Sequence, residues 1–592
     1  YKDSNIIHFI SNIMCGIFAL LNNDTVIQQL IESSFNKGRG RGPENSVLTH
    51  EFIKLQIGFH RLAINGLNDE SNQPIHVNNV SLICNGEIYN YKELYKTMNV
   101  KPTTDSDCEV IIHLYKKYGI EQTLSMLDGV FSFILVEKQY GDNPTKMYVA
   151  RDPYGVRPLY RMRPISSGKP SKHYMYGFAS ELKGLYDIYK EVKDTNRNKR
   201  TFDNKICKYP DYIIEQFSPG TYSQYDFCNN HYWKHKVSQK YHHHGFHSNI
   251  LNPQINTEDV FRNIRIHLTS AVEKRCITTE RPVACLLSGG LDSSLITALV
   301  NEYCCKNDMS TLETYSIGLE GAEDLKYARI VADYLGTKHT EVIVTEKEFI
   351  DAIPEVIYGI ESYDTTTVRA SIGNWLLGKY ISKHSEAKVI FNGDGSDELS
   401  GGYLYMGKAP DEIEFDRECR RLLKYIHTFD VLRSDKSISS HGLEPRTPFL
   451  DRTWTEYYLS IPTSIRFHTN NNQCEKYLIR KAFSSEEYKN HNNERLLPDE
   501  VLWRRKEAFS DGVSKHTRSL YEIIQEYADT ELENTSNIDT LTHLPPETNE
   551  QRYYRSIFEK HYDGLGQIIP HFWMPKYVNA TDSSARTLSI YK

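Results

Sequence analysis

The sequence predicts an α/β protein with two domains of different build. Residues 15–232 carry short apolar runs bounded by turn residues, such as Gly16–Leu21, and this pattern indicates a β-rich α+β domain. From about residue 255 the strand candidates Thr314–Ile317 and Val389–Phe391 alternate with helices, which favours a parallel sheet covered by helices. The 592 residues are enough to form more than one hydrophobic core.

The first domain contains three further strand candidates, Val80–Cys84, Phe131–Glu137 and Met147–Ala150, each a mixed apolar run between turn residues. Helical stretches are expected between the strands, for example over Cys108–Tyr118. The segment Tyr189–Tyr209 is basic, rich in Asn and without apolar periodicity, so we interpret it as a surface insertion.

Residues 233–254 are predicted to link the two domains. This stretch is polar and contains the histidine cluster His242–His247, which has no carboxylate or cysteine at ligand spacing. The second domain, residues 255–592, opens with an amphipathic helix, Val260–Lys274, followed by the apolar run Val283–Leu287.

Composition excludes several classes of protein. The formal net charge of -7 is close to neutral for this length, which argues against general nucleic-acid binding. No apolar run approaches the ~18 residues of a membrane span. The eleven cysteines form no CxxC pair, as expected of thiols in a reducing, cytoplasmic setting. Residues 1–14 lack the basic and apolar regions of a signal peptide, so secretion is not expected.

Cys15 follows Met14 and could become the first residue of an active chain. An N-terminal cysteine carries a nucleophile and a base on one residue, because a thiol has a pKa of about 8.5 and an α-amine about 7.7–8.0. An amide nitrogen has no such basicity. We therefore expect residues 1–14 to be a leader that is untranslated in the active form or removed from it.

A glycine- and serine-rich loop, Ser288–Ser294, follows the apolar run of the second domain and opens a helix. Glycines let backbone N–H groups approach an anion, and the start of a helix favours phosphate. The loop lacks the Lys-Ser/Thr ending of the Walker motif, and an ordinary strand-to-helix turn would be the simplest alternative. The full seven-residue string is more specific and resembles the pyrophosphate-binding loop of the N-type ATP pyrophosphatases, which implies ATP as a ligand.

A second loop, Asn392–Glu398, follows the strand Val389–Phe391 and carries three acids in seven residues. Loops at the carboxyl ends of parallel strands line the ligand crevice. Asp292 and Asp397 are candidate Mg²⁺ ligands, since magnesium takes few carboxylates together with phosphate oxygens. Farther along the chain, the cluster Arg504-Arg505-Lys506 offers positive charge, although the cluster alone would equally suit a surface.

Taken together, these strings identify a family resemblance. From Met14 to the C-terminus the chain resembles the glutamine-hydrolysing asparagine synthetases, which combine an N-terminal nucleophile sandwich of two sheets between helices with a doubly wound ATP pyrophosphatase domain. The matching strings begin, in order, at Cys15 (CGIF), Arg41 (RGPE), His60 (HRLAI), Asn85 (NGEIYN), Ser106 (SD), Ser288 (SGGLDSS), Glu361 (ESYD), Thr366 (TTVRAS), Gly395 (through Pro410), Glu444 (through Asp451) and Lys506 (KEAFSDG).

The resemblance implies a glutamine site in the first domain. Cys15 would attack the side-chain amide of L-glutamine and form a thioester, with the Asn85 side chain and the Gly86 N–H as oxyanion hole. Arg61 would bind the glutamine carboxylate through its planar fork. The remaining predicted glutamine contacts are Leu62, Ala63 and Ile64, with Glu87 and Asp107 holding the ammonium.

The resemblance implies a second reaction in the second domain. Ammonia would pass through an internal tunnel, ATP would adenylate the side chain of L-aspartate, and ammonia would convert β-aspartyl-AMP to L-asparagine and AMP. Lys506 would stabilise the charge at the α-phosphate, and Thr366 and Arg369 would handle aspartate or the intermediate. The implied ATP contacts are Leu286, Ser288, Gly289, Gly290, Asp292, Ser293, Ile317, Asn392 and Gly393.

The sequence departs from the family pattern at two stretches besides the leader, the first being Asn392-Gly393-Asp394 in place of the family's Ser-Gly-Glu. Asp394 stands where the family has a glutamate tied to adenylate formation, and it reaches about one methylene less, so we expect an altered rate rather than loss. Gly40 replaces a histidine, and Glu44 replaces an aspartate.

Three other interpretations stay open at this stage. The chain could use free ammonia with an unprocessed, inactive glutaminase domain. It could be a β-lactam synthetase relative, although such relatives lack the residues of the glutamine site. It could also be a non-catalytic nucleotide-binding protein. The expected substrates are L-glutamine, L-aspartate and ATP with Mg²⁺, without nucleic acid or membrane as partners, and a homodimer is an open option.

Overall fold

A computed structural model of the chain describes residues 15–42, 44–139, 145–165, 174–203, 210–229, 231–246, 255–506, 512–514, 518–531, 541–580, 582 and 584. The expected leader, residues 1–14, lies outside these ranges, as do residues 204–209 of the predicted insertion and 247–254 of the predicted linker. No helix within the described ranges is long and apolar enough to cross a membrane.

Within the described ranges, the first unit contains twelve strands and four α-helices. The strands are β1 (Gly16–Leu21), β2 (Asn45–Phe52), β3 (Leu55–Arg61), β4 (Ile75–Val77), β5 (Val80–Ile88), β6 (Gly129–Glu137), β7 (Lys146–Arg151), β8 (Tyr160–Ile165), β9 (Tyr176–Ala179), β10 (Asp211–Gln216), β11 (Thr221–Cys228) and β12 (Tyr232–Lys240). The helices are α1 (Gln28–Asn36), α2 (Tyr91–Met98), α3 (Val110–Met126) and α4 (Lys183–Asp203).

These strands form two antiparallel six-stranded sheets, ordered β10-β8-β9-β1-β3-β2 and β12-β11-β7-β6-β5-β4. Strand residues alternate between the two faces of a sheet, so Ile17 and Ala19 of β1 meet Ile83 of β5 between the sheets. The opposite face, carrying Phe18 and Leu20, packs in a cluster that includes residues of helices α1 and α4. The unit is therefore a helix–sheet–sheet–helix sandwich, which agrees with the predicted α+β build.

Two predictions for this unit are corrected by the structure. Part of the segment interpreted as a surface insertion belongs to helix α4, whose buried residues Leu185, Ile188, Tyr189 and Val192 follow helical spacing. The apolar periodicity of this helix begins at Leu185, before the start of the segment at residue 189. The segment taken alone therefore does not show the periodicity. Strand β12 pairs with β11 well into the predicted linker 233–254, because Tyr232–Lys240 completes the edge of the second sheet.

The second unit is a parallel sheet surrounded by helices. Its strands are β13 (Val283–Leu286), β14 (Glu313–Leu319), β15 (Lys338–Val344), β16 (Val389–Phe391) and β17 (Glu444–Arg446). The helices are α5 (Thr257–Ile277), α6 (Leu291–Lys306), α7 (Glu323–Leu335), α8 (Glu346–Ile360), α9 (Thr365–His384), α10 (Ser396–Ser400), α11 (Glu412–Tyr425), α12 (Asp430–Ser439), α13 (Arg452–Ser460), α14 (Thr463–Arg466), α15 (Tyr477–Phe483), α16 (Asp499–Leu502), α17 (Leu520–Glu531) and α18 (Asn549–Tyr562).

The order of this sheet, β15-β14-β13-β16-β17, creates a switch point between β13 and β16. The chain moves outward from β13 in one direction, then returns to place β16 on its other side. The loops after these two neighbouring strands diverge and leave a crevice, which is where open parallel sheets bind ligands. Both loops that the sequence singled out, Ser288–Ser294 and Asn392–Glu398, begin at this crevice.

The two units share apolar packing. Leu62 and Ile64 of the first unit lie in one cluster with Val283 and Leu295 of the second. The predicted strands Gly16–Leu21 and Val389–Phe391 are confirmed with their predicted bounds. The mixed α/β fold class is confirmed.

Candidate functional site

Cys15 lies just before β1, with its thiol held by the backbone that leaves β3. The Leu62 N–H donates to Sγ, and Sγ donates to the Leu62 carbonyl oxygen, both at 3.3 Å. Burial raises the pKa of the Cys15 thiol to about 12, with a smaller contribution from the carboxylates of Glu87 and Glu444. The thiol therefore needs a nearby base before it can act as a nucleophile at neutral pH.

The predicted oxyanion-hole residues lie on strand β5. Asn85 donates from Nδ2 to Ser180 Oγ at 3.3 Å, and its Oδ1 is buried without a hydrogen-bond partner among the described residues. Gly86 packs directly on β6, where a Cβ atom would lie 2.2 Å from the Val130 carbonyl oxygen. This close approach excludes a larger residue at position 86.

Arg61 ends strand β3 and is buried, with its guanidinium turned toward the following loop. Its Nη1 donates to the Asn68 carbonyl oxygen at 3.0 Å and to Asn72 Oδ1 at 2.7 Å, and its Nη2 donates to the Gly66 carbonyl oxygen. These contacts hold the fork in one orientation, as a carboxylate-binding arginine requires.

Glu87 and Asp107 form a buried pair of acids bridged by Asn65, which donates from Nδ2 to Glu87 Oε2 at 2.7 Å and to Asp107 Oδ1 at 3.5 Å. Burial raises the pKa of Glu87 well above its usual range, and Asp107 and Glu444 add to the effect. Burial also raises the pKa of Asp107 to about 6. Two acids with raised pKa values make a site that a cation would stabilise.

Backbone groups of Ala63 and Ile64, two further predicted glutamine contacts, already form hydrogen bonds with other parts of the protein. The Ala63 N–H donates to Glu44 Oε2 at 2.6 Å, and the Ala63 carbonyl oxygen accepts from Arg281 Nε at 2.8 Å. The Ile64 carbonyl oxygen accepts from the Glu280 N–H at 3.0 Å. Leu62 contacts Cys15 directly, whereas Ala63 and Ile64 tie this crevice to the second unit.

The glycine- and serine-rich loop connects β13 to α6 as predicted. Ser288 and Ser293 place their hydroxyl oxygens 3.0 Å apart inside the turn. Gly289 has a positive φ of 71°, and a Cβ there would lie 2.4 Å from Tyr327 Cβ on α7. Only glycine allows this close packing. The loop faces a cavity that is also lined by Leu286 and Ile317.

The second loop faces the first across the same cavity. Gly393 lies against the start of α6, where a Cβ would be 2.8 Å from the Asp292 carbonyl carbon. Asp394 lines the cavity, and its Oδ1 lies 2.9 Å from Arg433 Nη2. Asn392 donates from Nδ2 to Ser434 Oγ at 2.7 Å, so helix α12 supports the loop.

Asp292 and Asp397, the predicted metal ligands, meet at a pair of lysines. Lys476 Nζ lies 2.5 Å from Asp292 Oδ2 and 2.5 Å from Asp397 Oδ1, and Lys506 Nζ lies 2.6 Å from Asp397 Oδ2. Although burial opposes it, the two ammonium groups lower the pKa of Asp397 below its usual range. Lys506 therefore lies beside the second loop, and its role at the α-phosphate stays a prediction.

Arg369 is not among the described residues that line this cavity, and its predicted role toward aspartate or the intermediate stays a prediction. Its guanidinium is buried between Glu550 and Asp582, with Nη1 2.8 Å from Asp582 Oδ1. Thr366, one turn earlier on α9, does line the cavity, and its Oγ1 is buried without a partner among the described residues. Of the two residues predicted to handle aspartate, only Thr366 is among the lining residues of the cavity.

Four residues at these crevices were missed by sequence reasoning: Ser180, Arg433, Arg446 and Lys476. Ser180 and Arg433 orient predicted residues, and Arg446 Nη2 lies 3.6 Å from Glu87 Oε2 across the two units. Lys476 comes before the short helix α15 and has no motif around it. Contacts between distant segments bring all four to the crevices; Arg446 lies within the matched string Glu444–Asp451, whereas the other three lie outside the matched strings.

The chain matches two family models. The model described as Glutamine amidotransferase domain matches residues 14–236, and the model described as Asparagine synthase matches residues 263–413 and 407–581. Among curated proteins, the asparagine synthetases [glutamine-hydrolyzing] of Homo sapiens and Gallus gallus are 39% and 40% identical to this chain, each alignment covering 98% of the chain and 99% of the relative. A solved glutamine-dependent NAD+ synthetase from Acinetobacter baumannii is 13% identical with a TM-score of 0.24, covering 62% of this chain and 55% of that one.

Proposed function

The chain belongs to the family of glutamine-hydrolysing asparagine synthetases, and from this premise we propose how its two sites divide the reaction. It is a ligase that makes asparagine with ATP and takes the nitrogen from glutamine. One observation supports this assignment of two sites most directly. The same chain has a glutamine-type crevice at Cys15 and a phosphate loop at the switch point of the parallel sheet.

In the first site, Cys15 Sγ would attack the side-chain carbonyl carbon of L-glutamine, and ammonia would leave. Water would then hydrolyse the thioester to give glutamate and the free thiol. Asn85 and the Gly86 N–H would stabilise the negative oxygen of each tetrahedral intermediate, a contribution of roughly 10²–10³ in rate per donor. Arg61 and Asp107 would bind the carboxylate and the ammonium of the substrate.

The base for Cys15 is proposed to be its own α-amine, in an active form that begins at this residue. Two observations support the proposal: burial raises the pKa of the thiol to about 12, and within the described residues the hydrogen bonds of Sγ go to the backbone of Leu62, which is not a base. A free amine with a pKa of about 7.7–8.0 could accept the thiol proton. The match of the glutamine amidotransferase model from residue 14 agrees with a start near this position.

In the second site, ATP would lie between the two facing loops. Leu286 and Ile317 would contact the adenosine, while the backbone of Ser288–Ser293 and the start of α6 would bind the phosphates. The β-carboxylate of L-aspartate would attack the α-phosphate and release pyrophosphate. Ammonia from the first site would then attack β-aspartyl-AMP, giving L-asparagine and AMP, while Lys506 would stabilise the negative charge.

Mg²⁺ is proposed as the cofactor held by Asp292 and Asp397. The donor set fits an ion completed by phosphate oxygens, because both acids are hard oxygen ligands beside the phosphate loop. The described residues contain no group of three acids, histidines or cysteines that could hold a metal alone, which agrees with this requirement. When bound, the ion would neutralise phosphate charge.

As partners we propose L-glutamine, L-aspartate and ATP, with neither nucleic acid nor a membrane. The near-neutral net charge supports this view. We further propose a cytoplasmic location. A homodimer is the assembly to test first, by measuring the mass in solution.

Pyrophosphate release tests the second site. The purified chain with ATP, Mg²⁺ and ammonia should release pyrophosphate with L-aspartate and not with L-glutamate or β-amino acids. Asp292→Asn and Lys506→Ala should remove this release and leave glutamine hydrolysis intact. Release at the parental rate in either variant would refute the assignment of that residue.

An ammonia-dependent synthetase with an inactive first site is the second candidate. The raised pKa of the Cys15 thiol favours it for any form in which Met14 stays attached. N-terminal sequencing together with a glutaminase assay separates the two candidates, since a chain that starts at Cys15 and hydrolyses glutamine excludes the second.

A further inference from the structure

Helix α12 (Asp430–Ser439) supports the loop at the second site with its first half. Asp430 Oδ2 accepts a hydrogen bond from the Gly395 N–H at 2.9 Å. Arg433 Nη2 lies 2.9 Å from Asp394 Oδ1, and Ser434 Oγ accepts from Asn392 Nδ2 at 2.7 Å. Three contacts in a row therefore fasten the loop to this helix.

The second half of the same helix contacts the first unit. Asp435 Oδ2 lies 2.7 Å from Arg41 Nη1, and its Oδ1 lies 3.1 Å from Arg157 Nη1. Lys436 Nζ lies 3.2 Å from Glu181 Oε2. Ser439 Oγ accepts a further hydrogen bond from Arg41 Nη1 at 2.8 Å.

Arg41 and the segment around Glu181 in turn hold the residues of the glutamine site. Arg41 donates from Nε to the Cys15 carbonyl oxygen at 2.9 Å and from Nη1 to Glu181 Oε1 at 2.8 Å. Ser180, the neighbour of Glu181, accepts from Asn85 Nδ2 at 3.3 Å. The nucleophile and the predicted oxyanion donor thus rest on groups that α12 holds.

These contacts are buried: the side chains of Arg41, Asp435 and Lys436 are at most 2% exposed. Water cannot easily replace such partners, and closely packed interiors move as units rather than deform freely. A ten-residue helix with fixed contacts at both ends can therefore carry a displacement from one site to the other.

We propose that α12 couples the two sites, so that ATP and aspartate at the second site change the reactivity of Cys15 in the first. The inference rests on the proposed function for the identity of those ligands. Bound substrates bring phosphate, carboxylate and ammonium groups next to Asp394 and Arg433, which otherwise pair with each other. The ligands would therefore interact differently with two positions of the helix. Coupling between the sites requires such a difference, because a ligand shifts an equilibrium only by its difference in affinity for the two states.

Alkylation of Cys15 by iodoacetamide, followed by peptide mass spectrometry, measures the coupling in the full chain. The probe is α,β-methylene-ATP with Mg²⁺ and L-aspartate, which can bind but cannot form the adenylate. The rate at Cys15 should change by about five-fold or more when the probe is present, the lower range of typical site-to-site coupling. The exposed Cys305 at the end of α6 provides the internal control and should not change.

Variants then test the path. Ser439→Ala and Asp435→Asn should reduce the effect of the probe on Cys15 to less than about two-fold, and Ser460→Ala on the neighbouring helix α13 should leave it unchanged. Where Asp435→Asn does not fold, Ser434→Ala replaces it. An unresponsive Cys15 in the parent chain, or a parental response in the α12 variants, would overturn the proposal.

Ammonia-dependent synthesis distinguishes failure of this inference from failure of the proposed function. If the coupling alone is wrong, the parent chain still makes asparagine from ammonia, ATP and aspartate while Cys15 ignores the probe. If the proposed function is wrong, that synthesis is missing.

Discussion

The ammonium nitrogen of Lys476 lies 2.5 Å from Oδ2 of Asp292, at the point where the phosphate loop turns into helix α6. The same nitrogen lies 2.5 Å from Asp397 Oδ1 of the opposite loop. One buried lysine therefore joins the two loops that face each other across the cavity. The side chain of Lys476 is only 1% exposed. Removing a buried partner leaves an uncompensated charge, so losing Lys476 should destabilise the protein more than losing one partner of a surface ion pair would.

Lys476→Met should lower the free energy of unfolding by about 3 kcal/mol, because it leaves two acids without their shared cation. Urea denaturation measures the loss. The control is Lys347→Met, which breaks an exposed pair with Asp351 and should change the free energy of unfolding far less than Lys476→Met does. Equal effects of the two substitutions would show that Lys476 does not hold the loops.

The pKa of Asp107 predicts a pH dependence for the glutamine site. Burial raises this pKa to about 6, so the free chain loses the negative charge at Asp107 as pH falls through that value. The charge is needed to bind the substrate ammonium, and kcat/KM for glutamine hydrolysis should therefore fall below pH 6. Asp107→Asn should show a low kcat/KM without this acidic limb. A parental profile that stays flat down to about pH 5 would contradict the role of Asp107.

Arg369→Leu should act on stability. The guanidinium is buried between Glu550 and Asp582, so its removal leaves two unpaired acids at a cost of about 3–5 kcal/mol. The control is Arg495→Leu, where an exposed arginine pairs with Glu486 and Asp499. If Arg369 instead contacts aspartate, the variant will keep its stability and show a raised KM for aspartate.

Asp394→Glu tests the departure from the family pattern. Arg433 holds Oδ1 of Asp394, so a longer carboxylate can keep the charge but must shift relative to the cavity. We expect pyrophosphate release to change by less than about ten-fold, a barrier difference of about 1.4 kcal/mol. Asp394→Asn removes the charge and should cost roughly 10²–10³, the range of a lost electrostatic group. Glutamine hydrolysis serves as the control, and equal rates for both variants would show that the charge is unimportant.

Local pattern was sufficient where neighbouring residues determine the structure. The strands Gly16–Leu21 and Val389–Phe391 and the loop Ser288–Ser294 were all predicted, since apolar runs and glycine turns form through contacts close in sequence. Helix α4 was not predicted, because its apolar residues Leu185 and Ile188 precede the polar segment 189–209 that was interpreted as a surface insertion.

The supporting residues of the sites could not be predicted, because contacts far apart in sequence place them. Lys476 reaches Asp292 from a turn with no motif. Arg433 lies on α12 and Arg41 opens the matched string RGPE, but nothing in either segment indicates that α12 contacts Arg41 through Asp435. Likewise, the pairing of Arg369 with Asp582 depends on how the C-terminal segment packs against α9.

The transfer of amide nitrogen tests the central claim most directly. The purified chain is incubated with glutamine labelled with ¹⁵N in its side-chain amide, together with ATP, Mg²⁺ and aspartate, and the products are analysed by mass spectrometry. The two-site account predicts ¹⁵N in the asparagine side chain and equal amounts of AMP and pyrophosphate. It also predicts that Cys15→Ala abolishes the label while synthesis from free ammonia continues. Unlabelled asparagine from the parent chain, or loss of both activities in Cys15→Ala, would contradict the account.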